Sequence, residues 1–178
     1  MSQTKFEQVS GLGDSNAHIN VYIQNRPRFS FAASQQLVYP LKKGEIYAIG
    51  QACGNGWRKV FNVYAKLLFP MLSKFSELND SYSSWQQYRD DELLQFGSQT
   101  ALYFTPPKFE QTEKLHIIMG RTYAKSCTLP NTFEWINQEF AIDLNHRTIV
   151  CPYFDYRQLS NQKIIFMSEL ISKHFLKK

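Results

Sequence analysis

Cysteine is scarce here and does not group: Cys53, Cys127 and Cys151 are three in 178 residues, with no C-x-x-C pair. An odd, scattered set excludes a disulfide framework or a zinc site as organising principle and predicts a reducing environment. Long apolar runs are missing too, since no stretch approaches the roughly 20 residues a membrane span needs. The segment Met1–Gln8 lacks the apolar h-region that export requires, so the expectation is a cytoplasmic protein with no membrane partner. Internal repeats and low-complexity tracts are absent as well. No residue pattern calls for a metal or any other cofactor.

What is present is a core. Hydrophobic residues make up 43% of the chain and aromatics 15%, which with this length predicts one domain over 1–178, opened by a loosely ordered polar arm over 1–18. A net charge of +5 favours an anionic partner without demanding one.

Three short apolar segments, Ile46–Gly50, Leu115–Gly120 and Arg147–Cys151, each run into a polar, turn-rich loop, as buried parallel strands do at a functional edge. Ile19–Ile23 alternates like a further strand, and Thr100–Phe104 reads as another. Between them Trp57, Val60, Phe61, Tyr64 and Leu68 mark one helical face, Pro70 ends or kinks that helix, and Ser84–Phe96 predicts a second helix stopped by Gly97. Asn131 and Glu134 have N-cap spacing for a short crossover helix to about Phe140. The last helix begins near Ser160, with Ile164, Met167, Ile171 and Phe175 on one face. The alternation predicts a three-layer α/β fold with a mostly parallel central sheet and helices on both faces.

The loops supply the candidate residues. Gln51-Ala-Cys-Gly-Asn-Gly56 precedes Arg58 and Lys59. It lacks the Gly-Lys-Ser/Thr ending of a phosphate-binding P-loop and a third glycine at Lys59, so a tight turn explains it as well as a phosphate site does. In the second loop Arg121 and Lys125 could hold phosphate or carboxylate, or could decorate a solvated helix start. The third loop sets Tyr153, Phe154 and Tyr156 beside Asp155 and Arg157, a mixture suited to stacking on bases or to covering the sheet end. Cys53 or Cys151, with Asp155, His116 or His146 nearby, are candidate catalytic groups for a cysteine-dependent hydrolase or transferase, although free cysteines usually pack as small hydrophobes. His116 lies inside a strand and reads as a core residue, His146 as exposed. A non-catalytic protein-interaction domain is the third class.

In order, Ile49-Gly50-Gln51, Gly120-Arg-Thr-Tyr-Ala-Lys125, and Pro152 followed by Leu159-Ser160 resemble the uracil-DNA glycosylase-like superfamily over roughly residues 45–176. The resemblance implies a base- or nucleotide-sized cleft. It also implies lost chemistry: Ala52 stands where a polar or acidic group positions water, Cys151 where a histidine stabilises the departing uracil, and Phe104 where an asparagine often reads the base. The expectation is a nucleotide- or nucleic-acid-binding cleft that is not an active glycosylase. Gln51, Asn55, Arg58, Arg121, Lys125, Tyr153, Phe154, Tyr156 and Arg157 are its ligand-binding candidates.

Overall fold

Both faces of the central strands are buried, and that follows from their near-continuous apolar composition. The computed structural model describes residues 9–32, 36–75 and 81–176. Its strands are β1 (Gly11–Gly13), β2 (Ile19–Tyr22), β3 (Val38–Tyr39), β4 (Thr100–Tyr103), β5 (Leu115–Met119), β6 (Glu134–Trp135), β7 (Ala141–Asp143) and β8 (Thr148–Cys151). They form one sheet in the order β3-β1-β4-β2-β5-β8-β7-β6. The four middle strands run parallel, while β1 is antiparallel to β4, and β7 and β6 add an antiparallel hairpin beside β8. The fold is α/β, but the sheet is mixed where a mostly parallel one was expected.

Period-2 alternation sorts the core. Ile19 and Val21 of β2, Leu115, Ile117 and Met119 of β5, and Ile149 and Cys151 of β8 face the principal core. That core is closed by α1 (Glu45–Cys53), α2 (Asn55–Leu68), α4 (Trp85–Asp91) and α6 (Asn161–His174), with the one-turn α3 (Leu72–Phe75) following a short 3₁₀ turn at Pro70. Tyr22, Ile118 and Val150 point the other way into a smaller cluster under α5 (Arg121–Ser126). Among the described residues helices therefore crowd one face, and the opposite face carries one short helix and loops.

Several expectations change. Ile46–Gly50 is not a strand but lies within α1, where Ile46, Ile49 and Gly50 bury one face at i, i+3 and i+4. A five-residue apolar run cannot by periodicity alone be told from a buried helical segment. The expected helix at 131–140 is the β6–β7 hairpin, whose turn is held by Asn137 Oδ1 accepting the N–H groups of Glu139 (2.8 Å) and Phe140 (2.9 Å). The helix at 84–96 stops at Asp91. Leu94 turns left-handed (φ 60°) and its N–H donates to Thr100 Oγ1 at 3.0 Å, so Gly97 belongs to a later turn. Of the expected loose arm, residues 1–8 lie outside the described residues, and the remainder is ordered, with Gly11–Gly13 paired between β3 and β4.

His116, as expected of a core residue, is fully buried. Burial pushes its imidazole below the ordinary range, and its Nε2 must donate, since its partner is the carbonyl of Gln111 (2.7 Å). Nδ1 then accepts from the Tyr22 hydroxyl at 2.7 Å. At the end of β7, buried Asp143 accepts from Thr132 Oγ1 (2.6 Å), His146 Nδ1 (2.7 Å) and two backbone N–H groups. Burial alone would raise this carboxyl, but the hydrogen bonds from Thr132 and His146 outweigh it and hold it below the usual range. A depressed folded pKa gives stability that is present above the unfolded value of about 3.9 and lost as pH falls through the folded one. In acid titrations followed by urea denaturation, the stability gap between wild type and Asp143→Asn should therefore narrow steadily below about pH 4.

Candidate functional site at the carboxyl edge of the sheet

In chain order the middle strands are β2, β4, β5 and β8, yet they lie side by side as β4-β2-β5-β8. The order reverses between β2 and β5, and in open α/β sheets ligands occupy the crevice outside the carboxyl ends at such a switch point. A cleft of about 380 Å³ opens there. Its lining includes Gln24 and Asn25 after β2, Gly120 and Arg121 after β5, and Tyr153 and Gln158 after β8.

Each group is held by a local bond. Gly120 has φ 92°, a left-handed conformation that glycine adopts without strain, and its N–H donates to Cys151 O at 2.7 Å, tying two strand ends together. Arg121 follows at once. Its guanidinium lies 4.8 Å from the Trp135 ring centre, and Nη1 donates to Gln138 O at 2.9 Å, so the β6–β7 hairpin fixes it at the rim. Across the crevice Asn25 Nδ2 donates to the Tyr153 hydroxyl at 3.4 Å. Glu139, the carboxylate in the lining, is engaged by Lys163 at 2.7 Å.

Next to Tyr153 the loop changes character. Asp155 accepts the Arg157 backbone N–H (2.9 Å) and then Lys59 Nζ (3.1 Å), and these hold its carboxyl below the ordinary range. Lys59 also sits 4.7 Å from the Tyr156 ring centre, with Arg157 at 5.9 Å. The start of α2 is thereby attached to the third loop. On its other side Asn25 also borders a shallow depression of about 430 Å³ shared with Arg26, Arg28, Ala52, Cys53 and Trp57.

The sequence candidates divide accordingly. Arg121 and Tyr153 line the cleft, while Asp155, Tyr156 and Arg157 form the ionic patch beside it. Lys125 Nζ lies 5.8 Å from the Trp135 ring centre and is not among the described lining residues of the cleft. Phe154 is fully buried, edge-on to Tyr64, so it is a core residue and not a stacking platform. Gln51 is exposed on α1, and Asn55 receives the Arg58 guanidinium on α2, so neither borders the cleft. Arg58 lines a different cavity.

The thiols sit where burial favours their protonated form. Burial pushes the Cys53, Cys127 and Cys151 thiols up, Cys151 most, and Cys151 Sγ points into the core toward Ile118 O (3.8 Å). Cys53 donates to Arg28 O at 3.4 Å. Among the described residues no three His, Cys, Asp or Glu side chains gather to hold a metal ion, and no helix is long and apolar enough to cross a membrane.

A family model matches residues 10–172, from β1 into α6. The chain belongs to DUF6942, a family of unknown function. No curated protein and no solved structure matches it. In this DUF6942 chain the described groups of the site come mainly from the loops after β2, β5 and β8. Sequence reasoning missed Gln24, Asn25 and Trp135. The alternation Ile19–Ile23 was legible, and the polar pair directly after it was the available signal.

Proposed function

We propose that the carboxyl-edge cleft binds single-stranded nucleic acid or a nucleotide, and that it holds its ligand without cutting it. Arg121 contacts phosphate, Tyr153 stacks on a base, and Arg157 with Lys59 extends the cationic track along the same edge. The observation that carries this reading is positional. The cleft opens at the switch point between β2 and β5, with a rim-fixed guanidinium and a half-buried phenol both lining it. The net charge of +5 agrees with an anionic partner.

Kinship with the uracil-DNA glycosylase-like superfamily belongs to the same proposal, with one motif moved. Because Ile49-Gly50-Gln51 lies inside α1, the polar pair that follows the first of the parallel strands is Gln24–Asn25, and Ala52 no longer speaks for lost chemistry. Cys151 still does. It ends its strand with the side chain turned into the core, leaving that position no donor for a departing base.

Fluorescence anisotropy with a labelled strand of about 12 nucleotides, a length within the usual site sizes, tests the reading. Binding at low salt should weaken linearly in log salt. Arg121→Ala and Tyr153→Ala should each cost about ten- to a hundredfold, and a uracil-containing strand should release no free base. Absence of binding at low salt, or an affinity indifferent to both substitutions, would sink the idea.

A further inference from the structure

The largest of the cavities described, about 540 Å³, shares no lining residue with the carboxyl-edge cleft. It lies among the start of α1, the outer side of α2, α4 and the turn at Gln95. Among the described residues four cations line it, Lys42, Lys43, Arg58 and Arg89, against one carboxylate, Asp90. Gathering like charges around a concave surface is unfavourable unless something of opposite sign answers them.

Two of the four are answered internally. Arg89 grips Asp90 with Nε (2.7 Å) and Nη2 (3.0 Å), and Lys43 pairs with Asp91 at 2.9 Å. Lys42 and Arg58 have no carboxylate in ion-pair distance among the described residues. The Arg58 guanidinium donates to Asn55 Oδ1, a neutral partner, and Lys42 is solvent-exposed, with the Glu45 carboxylate accepting its backbone N–H at 2.7 Å.

The remaining groups are arranged as donors. Arg89 Nη1 donates to Asn62 at 2.6 Å, and because a guanidinium only donates, Asn62 presents Oδ1 there and its amide N–H groups take no part in that bond. Arg89 is itself held against Trp85, 5.5 Å from the ring centre. Arg58 is seated with equal care. Its stem crosses Gly50 so closely that a Cβ at that position would fall 2.4 Å from Arg58 Cγ. Tyr47, in the same lining, leaves 69% of its surface exposed, which provides an aromatic face at the mouth. A volume of this size is within the usual range for small-molecule sites.

We propose that this cavity is a second, independent site, for a small phosphate ester bearing a flat ring, of the nucleoside diphosphate class. The phosphates take Lys42, Arg58 and the Asn62 amide, and the ring lies on Tyr47. Gly50 is a positioning residue, since it acts only by letting Arg58 lie where it does.

Isothermal titration calorimetry of the whole chain at low salt, with ADP, pyrophosphate and adenosine as probes, tests this. ADP should bind one to one, pyrophosphate about tenfold more weakly for want of a ring, and adenosine not at all. Lys42→Ala, at an exposed position that cannot disturb the core, and Arg58→Ala should each weaken ADP by about tenfold or more. Gly50→Ala, which alters no charge, should weaken it by moving the Arg58 stem. These affinities are read in an Arg121→Ala, Tyr153→Ala background, which disables the strand-end cleft, so the ADP bound there belongs to this cavity. The proposal is overturned if ADP gives no binding in that background, if pyrophosphate binds as tightly as ADP, or if Lys42→Ala and Arg58→Ala leave the affinity untouched.

Discussion

Replacing Gly13 with alanine should destabilise the fold by about 3–4 kcal/mol, combining left-handed backbone strain with overpacking. Gly13 has φ 115°, and a Cβ there would lie 2.3 Å from Thr100 O and 2.8 Å from Ala101 Cα. Both are backbone atoms of the paired strand, so no rotamer change can relieve the contact. The register Gly13↔Ala101 would have to open, and β1, which links β3 to β4, would shift with it. Gly56→Ala in α2 is the control: nothing lies within 4 Å of the added methyl, and helix propensity makes the change neutral or mildly favourable. Urea denaturation of the two variants separates a steric demand from a general intolerance of glycine substitution.

Phe154→Ala should cost about 3–5 kcal/mol, the usual range for emptying a large core site. The ring is fully buried and meets Tyr64 edge-on with centres 5.8 Å apart. Tyr64 in turn donates to Ala101 O at 2.9 Å, so the aromatic pair ties the third loop, α2 and β4 together. Tyr156→Ala, two residues on and half exposed, should change stability by no more than about 0.5 kcal/mol. The contrast is decisive because both residues were stacking candidates from sequence. If Tyr156→Ala cost more than Phe154→Ala, the loop would be anchored otherwise than described.

That pair shows what a sequence can and cannot disclose. Three aromatics in five residues reveal that the loop is structured, but alternation along an irregular turn does not say which ring points inward. The strands β2, β4, β5 and β8 and the helices α2 and α6 were legible because their periodicities extend over several residues and are backed by burial on both sheet faces. Ile46–Gly50 misled because five apolar residues satisfy either period, and its helical identity rests on contacts with α2 that lie outside the window. Asn131–Glu134 misled because N-cap spacing is satisfied by chance in a polar turn, and tertiary pairing of β6 with β7 decided the outcome. Of the site, Arg121 and Tyr153 were found because they directly follow strands that had been recognised. Gln24 and Asn25 were passed over because the strand before them was not seen as the centre of the order reversal, a property of topology and not of local composition.

The central claim is that the crevice between the ends of β2 and β5 is where a nucleic-acid ligand sits. Its most direct test is a two-dimensional ¹H–¹⁵N spectrum of the labelled chain titrated with a short single-stranded oligonucleotide. Saturable shifts concentrated at Gln24, Asn25, Gly120, Arg121 and Tyr153 are the predicted result. A spectrum that does not change at low salt, or changes confined to residues away from the strand-end loops, would contradict it.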